Sequence, residues 1–387
     1  IALPALDEAL LLGLSSGQFA CPDGFKTIIG GAIPRFLSGM FCEVFDPVSG
    51  QLKDNVDFSV LKCIRNLLRL FKKTQMSSDD EIILHRKAVS EFFQCDEIAK
   101  GFILPDREDH LIGLVSKLVL NDLSSRSLEI ASYRHGPGAV MEGLSSNQKW
   151  LELSNSVKNA EFDTESYGYD IYGVSLSDLS ERTILSKSKN LFVSHYGASR
   201  RIAGLITVAK NSTSRRTITV EPVVNQFIQQ GLNTLLRDSI SRCRILSNCL
   251  ALSDQSKNQI LALEGSLHDN WATIDLKSAS DLLNLKLVES VFRHHGQFLD
   301  HMIDCRSTQV SSDCMATLSL GKFAGMGNAL TFPVQSICFA VVCIAAILDK
   351  EGSTPSFWKV RRASRHIRIF GDDIIVSSKY AHQCVNW

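Results

Sequence analysis

The sequence predicts an α+β chain: a helix-rich first half and, in the second half, an antiparallel sheet backed by helices. Three observations predict it. Val60, Leu61, Ile64, Leu67, Leu68 and Phe71 recur at helical spacing. A short apolar strand, residues 271–274, ends in Asp275, and Leu283, Leu287 and Val291 follow at helical spacing. Near the end, the run Arg368-Ile-Phe-Gly-Asp-Asp-Ile-Ile-Val376 sets a Gly-Asp-Asp turn between two apolar runs, the pattern of a β-hairpin. A strand–helix unit and a hairpin can close into one antiparallel sheet with helices behind it.

Bulk properties narrow the field. With 387 residues, 44% apolar and 21% charged, the chain has a globular composition. A formal net charge of zero confines any nucleic-acid surface to a local basic patch. The eleven cysteines stand singly and form no Cys-x-x-Cys pair, which excludes a zinc ribbon and fits reduced thiols in a cytosol. The longest apolar run, 337–348, is shorter than the roughly 20 residues that cross a bilayer, so no membrane is expected. The sequence begins at Ile1 without Met and breaks off soon after the hairpin, so it reads as an internal piece of a longer protein.

Three regions follow from composition. Residues 1–186 are helix-rich, and Ser78-Asp-Asp-Glu81 marks a helix start before Ile82, Ile83, Val89, Phe92 and Phe93. Arg134-His-Gly-Pro-Gly-Ala139 is a loop in which His135 is a candidate functional or structural residue. Tyr167, Tyr169 and Tyr172 lie in an irregular connection where they could pack or stack on bases. Residues 187–255 open with a basic stretch: Lys187, Lys189, Arg200, Arg201, Lys210, Arg215 and Arg216 occur before the first acid, Glu221. Basic residues on short strands form a wall suited to phosphate, although a solvated face gives the same pattern. A helix over about 223–240 follows.

The third region, 256–387, carries the acids. A carboxylate at a strand end, as at Asp275, suits a metal ligand; Ser278-x-x-Asp281 also reads as a capping-box-like helix start. Gly325-Met-Gly-Asn328 is a Gly-rich turn before a helix to about Leu348, with Pro333 in its first turn. There Gly327 would let the backbone approach a ligand, and Asn328 offers a donor and an acceptor. The basic run Lys359, Arg361, Arg362, Arg365 and Arg368 precedes the hairpin and could meet nucleic-acid phosphate. Asp372 and Asp373 at its tip repel by roughly 1–4 kcal/mol at about 4 Å, a cost that bound Mg²⁺ removes. Asp275 and Asp372 could converge at adjacent strand ends, where two divalent ions would serve in-line phosphoryl transfer. Each feature alone is an ordinary turn or helix start; their order is what specifies a function.

Lys210-Asn-Ser-Thr-Ser-Arg-Arg216 with Glu221-Pro222 and Asn225, Ile274-Asp-Leu-Lys-Ser-Ala-Ser-Asp281, Met326-Gly-Asn-x-x-Thr-Phe332 and Phe370-Gly-Asp-Asp-Ile-Ile375 resemble motifs F, A, B and C of RNA-dependent RNA polymerases. The variant is that of positive-strand RNA bacteriophages, the levivirus replicase β subunit. The resemblance is specific from Lys210 to Val376; His135-Gly-Pro-Gly-Ala139 is similar to a further loop of the family. It implies a right-hand polymerase: a helical N-terminal and fingers region (1–186), a basic fingers segment (187–255) and an antiparallel-sheet palm (256–387), with the thumb largely missing. It implies RNA-templated RNA synthesis with two Mg²⁺ ions, or Mn²⁺, on Asp275, Asp372 and Asp373. Lys210 and Arg216 would hold the incoming triphosphate, Asp281 and Asn328 would sense the ribose 2′-hydroxyl, and Arg215 and Gly327 are further substrate-binding candidates. RNA template and product, NTPs, host elongation factors Tu and Ts and a ribosomal protein are the implied partners, in the bacterial cytoplasm. Two positions depart from the pattern: Phe370 replaces the usual Tyr, and Arg215 stands where some relatives have an acid. Without a thumb this stretch alone is expected to be inactive. A reverse transcriptase and an inactive RNA-binding remnant are the rival readings.

Overall fold

The computed structural model describes residues 2–70, 77–124, 133–145, 148–150, 152 and 201–387. Lys187, Lys189 and Arg200 of the basic stretch, and Tyr167, Tyr169 and Tyr172, lie outside the described residues. The chain divides into two compact units, Ile1–Val89 with Thr207–Arg216, and Ser90–Ile206 with Thr217–Trp387.

In the first unit, α1 (Ala2–Ser16) packs on α2 (Phe58–Arg69). Asp57 starts α2 because its carboxylate accepts from the Ser59 and Val60 amides. Arg65 and Arg69 of α2 both reach Asp7 of α1, at 3.4 and 2.7 Å. A cluster built on Phe19, Phe41 and Phe45 fills the space between, with ring centroids 5.1–5.3 Å apart. The helical stripe is only partly core: Ile64 and Leu68 are buried, whereas Leu67 is exposed.

Helix α3 (Ser78–Gly101) begins at the expected Ser-Asp-Asp-Glu signal, with its acids near the positive end of the helix dipole. Val89 and Phe92 are buried; Ile82 and Ile83 are exposed, so apolar identity overstated the core in the first turns.

The second unit holds one whole sheet and most of another, whose β1–β2 tip, residues 207–216, falls in the first unit. Strands β1 (Ile202–Asn211) and β2 (Ser214–Val220) belong to a four-stranded sheet ordered β2-β1-β4-β5, with β4 (Gln309–Ser312) parallel to the start of β1 and antiparallel to β5 (Met315–Ser319). The other sheet, ordered β3-β7-β6, is antiparallel throughout: β3 (Trp271–Ile274), β6 (Ile367–Phe370) and β7 (Asp373–Ser377). The central β7 buries Ile374, Ile375 and Val376, as a strand flanked on both edges and packed on both faces must.

The helices of this unit are α4 (Asp106–Val119), α5 (Val223–Arg242), α6 (Ser256–His268), α7 (Leu285–Phe292), α8 (Thr331–Lys350) and α9 (Ser378–Asn386). Helix α8 packs between β6 and α4, and α6 and α9 flank the sheet. Among the described residues α8 is the one helix long and apolar enough to cross a bilayer; 83% of its most apolar window is buried in this fold. Apolar all round, it is buried all round. The α+β expectation holds, and the sheet is backed by helices as the strand–helix order implied.

The expected helix start at Ser278 does not form. Ser278 has φ 55°, in the left-handed region, and 277–282 is a turn. The helix begins later, at Leu285, where Asn284 is the cap: its side chain accepts from the Lys286 amide at 2.7 Å.

A buried carboxylate ties α3 to the segment before α8. Asp96, fully buried, accepts from the Gly321 and Lys322 amides at 3.0 Å and pairs with Lys100 at 3.2 Å. Replacing Asp96 with Ala strands one buried and one half-buried amide and is expected to cost about 3 kcal/mol. Urea unfolding of this chain measures it; a loss below about 1 kcal/mol contradicts the assignment.

Candidate functional site

Strand register assembles the acidic centre. In the β3–β7 ladder Ile274 pairs with Ile374, so the next residues outward, Asp275 and Asp373, leave the sheet side by side. Phe370 pairs with Asp373 across the β6–β7 hairpin, which puts Asp372 in the turn between them. All three aspartates are exposed at the sheet end. Partial desolvation, then the charge of Asp372 and more weakly that of Asp275, pushes the Asp373 carboxyl up. Gln255, just before α6, opposes this shift by donating to Asp373 Oδ2 at 2.6 Å. The charges of Asp372 and Asp275 both act on Asp373, so three carboxylates share this end of the sheet.

The hairpin tip is held from below. Gly371 has φ 64°, and a Cβ there would lie 2.5 Å from the Phe332 ring. Phe332 and Phe370 pack edge to face at 5.3 Å, so the aromatic ring at 370 serves the fold without a hydroxyl.

The Gly-rich turn lies against β2. The Thr219 amide donates to Met326 O at 2.8 Å, and an added Cβ on Gly327 would sit 1.8 Å from Thr219 O. Gly325 is equally tight, 2.2 Å from Thr219 Cγ2. The glycines thus admit a strand, which spacing in the sequence did not reveal. Thr217 and Thr219 are the buried side of β2, and Ile218 and Val220 the half-buried side, because only a small side chain fits over this turn. Asn328 is buried; its Oδ1 accepts from the Leu330 amide at 2.8 Å and shapes the entry to α8. Gln229 of α5 supports the same turn, accepting from Ala329 N at 3.3 Å and donating to buried Glu221 at 3.2 Å. Burial pushes the Glu221 carboxyl up, against hydrogen bonds from Ser307 and Gln229.

Asp281 lies in the turn after β3 and pairs with Lys322 Nζ at 3.1 Å. The Lys322 side chain is fully buried, and its ammonium stands 3.3 Å from the centre of the Phe92 ring. Burial pushes that ammonium below its ordinary range, and the Asp281 carboxylate counters the shift.

Lys210, Arg215 and Arg216 belong to the first unit, at the tip of the β1–β2 hairpin; the aspartates belong to the second. Lys210 and Arg216 are exposed. Arg215 is engaged within its unit: it donates to Thr207 Oγ1 at 2.7 Å and Thr207 O at 2.9 Å, and lies 3.9 Å from Glu81. Further along the basic runs, Arg201 pairs with Asp304, Arg362 with Glu351, and Arg368 donates to Asn248 O. Part of the predicted wall therefore serves the fold. His135 is enclosed by Trp150 and Phe227, with ring centroids at 4.9 and 5.1 Å, and burial drives its pKa down to about 4. It is a half-buried residue, neutral at physiological pH.

The antiparallel sheet thus brings Asp275, Asp372 and Asp373 to one end, beside a Gly-rich helix entry. The chain belongs to the RNA replicase, beta-chain family, whose profile matches residues 183–387. It is similar to the RNA-directed RNA polymerase subunit beta of Enterobacteria phage SP, 36% identical over 178 residues, covering 46% of this chain and 28% of that protein. It is also similar to the same-named subunit of Escherichia virus Qbeta, 35% identical over 175 residues (45% and 26%). The RNA-directed RNA polymerase beta chain of Escherichia phage MS2 is 34% identical over 179 residues (46% and 29%). The matched stretch spans less than a third of the length of each of these relatives.

Proposed function

We propose that this chain is the catalytic region of an RNA-directed RNA polymerase that copies an RNA template from NTPs, for phage genome replication and transcription in the bacterial cytoplasm. One observation carries the reading: the β3–β7 register sets Asp275 beside Asp373, with Asp372 in the adjoining turn, in a chain of the replicase family. The sheet of residues 256–387 is the palm in this reading. Residues 187–255 are the basic fingers segment, and 1–186 the helical N-terminal and fingers region. Asp275, Asp372 and Asp373 would hold two Mg²⁺ or Mn²⁺ ions, and the donor set fits them. When bound, such ions supply a lowered pKa at the attacking 3′-hydroxyl and charge neutralisation at the leaving pyrophosphate oxygen.

The protein's own side chains bind and orient. Lys210 and Arg216, exposed at a hairpin tip, neutralise the triphosphate; Arg215, already bonded to Thr207, stiffens that tip and adds positive charge. The Gly327 turn and Asn328 line the sugar side, and Asp281 accepts the ribose 2′-hydroxyl. Elongation factors Tu and Ts and a ribosomal protein are proposed as host partners on the family resemblance.

The test is nucleotide incorporation on an RNA template by the full encoded polypeptide with Mg²⁺, with and without those host proteins. Ribonucleotide incorporation is expected. A preference for deoxynucleotides establishes the reverse-transcriptase reading instead, and template binding without product under every condition establishes the inactive remnant.

A further inference from the structure

We propose that Lys322 is a positioning residue for ribose selection: it clamps one oxygen of Asp281 and leaves the other to accept the 2′-hydroxyl of the incoming nucleotide. The proposal rests on the polymerase reading of the site.

Three observations carry it. First, the lysine is where a charge is costly. Its side chain is fully buried, beneath the Phe92 ring, where a Leu or Met would satisfy packing alone. Second, its donors are all spent inward: Asp281 Oδ1 at 3.1 Å, Phe92 O at 3.4 Å and the Phe92 ring face at 3.3 Å from its centre. An ammonium so held cannot swing out to a substrate phosphate; its effect must pass through Asp281. Third, the backbone around it is fixed on both sides. The Lys322 amide donates to Asp96, the Phe323 amide donates to Leu283 O at 2.8 Å, and Asn284 pairs with Lys322. The segment leading to Gly327 and Asn328 is thereby stitched to the turn that carries Asp281.

Asp281 in turn makes its one protein hydrogen bond among the described residues to Lys322, through Oδ1. Oδ2 is left for a ligand. A carboxylate fixed in direction is a stronger acceptor for a hydroxyl than a mobile one. A site built to bond a hydroxyl discriminates strongly against the analogue that lacks it.

The experiment measures kcat/KM for ribo- and deoxynucleotides with the full encoded polypeptide and variants, taking their ratio as the readout. Lys322→Met is expected to lower the ratio at least about tenfold, through a higher ribonucleotide KM with deoxynucleotide use little changed. Asp281→Asn with Lys322→Met should match Asp281→Asn alone, since the lysine acts through the acid. An unchanged ratio in Lys322→Met, or an equal loss on both nucleotides, overturns the proposal. If that variant does not fold, Phe92→Leu replaces it; loosening the ammonium should lower the ratio about threefold, and an unchanged ratio overturns the proposal equally. Failure of the underlying reading is separate: the unmodified protein would then make no RNA.

Discussion

Replacing Asp372 with Asn is expected to lower RNA synthesis by the full encoded polypeptide at least about 10³-fold, roughly 4 kcal/mol of transition-state stabilisation. The substitution is isosteric, so the turn keeps its shape, and only a negative charge leaves the trio formed with Asp275 and Asp373. Charge removal acts with opposite sign on stability. Asp372 is the leading charge that pushes the Asp373 carboxyl up, so without a divalent ion the two acids oppose each other in the folded state. The variant should therefore melt higher than the parent chain in chelator. It should also gain less on addition of Mg²⁺, because stabilisation by a ligand rises with the logarithm of its affinity. Paired thermal melts, with and without Mg²⁺, read both effects on this chain. Equal melting temperatures in chelator together with equal Mg²⁺ gains would remove Asp372 from the centre.

Gly327→Ala is expected to destabilise the chain by about 3 kcal/mol or more, through two costs at one position. The backbone there has φ 144°, which side-chain-bearing residues rarely adopt, and the new methyl would meet Thr219 O at 1.8 Å. Neither partner can yield cheaply, because Thr219 also donates to Met326 O and so holds the turn to β2. Gly352→Ala is the control. Its φ is 58° and open space surrounds it, so only the left-handed backbone cost of about 1 kcal/mol applies. Urea midpoints for the two variants separate clash from conformation; similar losses would mean that the β2 contact is not rigid. Because the same turn carries Asn328, the surviving folded fraction of Gly327→Ala should also use ribonucleotides poorly.

Much of the acidic centre was legible from local chemistry. Gly-Asp-Asp between β-branched runs can form little else than a hairpin, and Asp275 after a short strand has to emerge at a sheet end. The long apolar helix before it was visible too, since Ile337 to Leu348 leaves no polar stripe. The first turn after β3 was misread: Ser278 and Asp281 match a capping box, yet Ser278 takes a left-handed backbone and Asn284 caps instead. Cap propensities of Ser and Asn are close, so packing around Leu283 decides between them. The basic stretch was legible as charge but not as use. Arg215, Arg201 and Arg362 spend theirs on Thr207, Asp304 and Glu351, partners that no local spacing reveals.

The sequence by itself determined the order of the motifs, the hairpin that bears two of the three acids, and the family they belong to. Tertiary structure alone decided which residues serve those acids. Gln255 meets Asp373 across 118 positions, Lys322 meets Asp281 across 41, and Thr219 closes on Gly327 from a different sheet. Local patterns follow from backbone geometry within a few residues, whereas these contacts exist only once strand register and helix packing bring distant segments within hydrogen-bond reach.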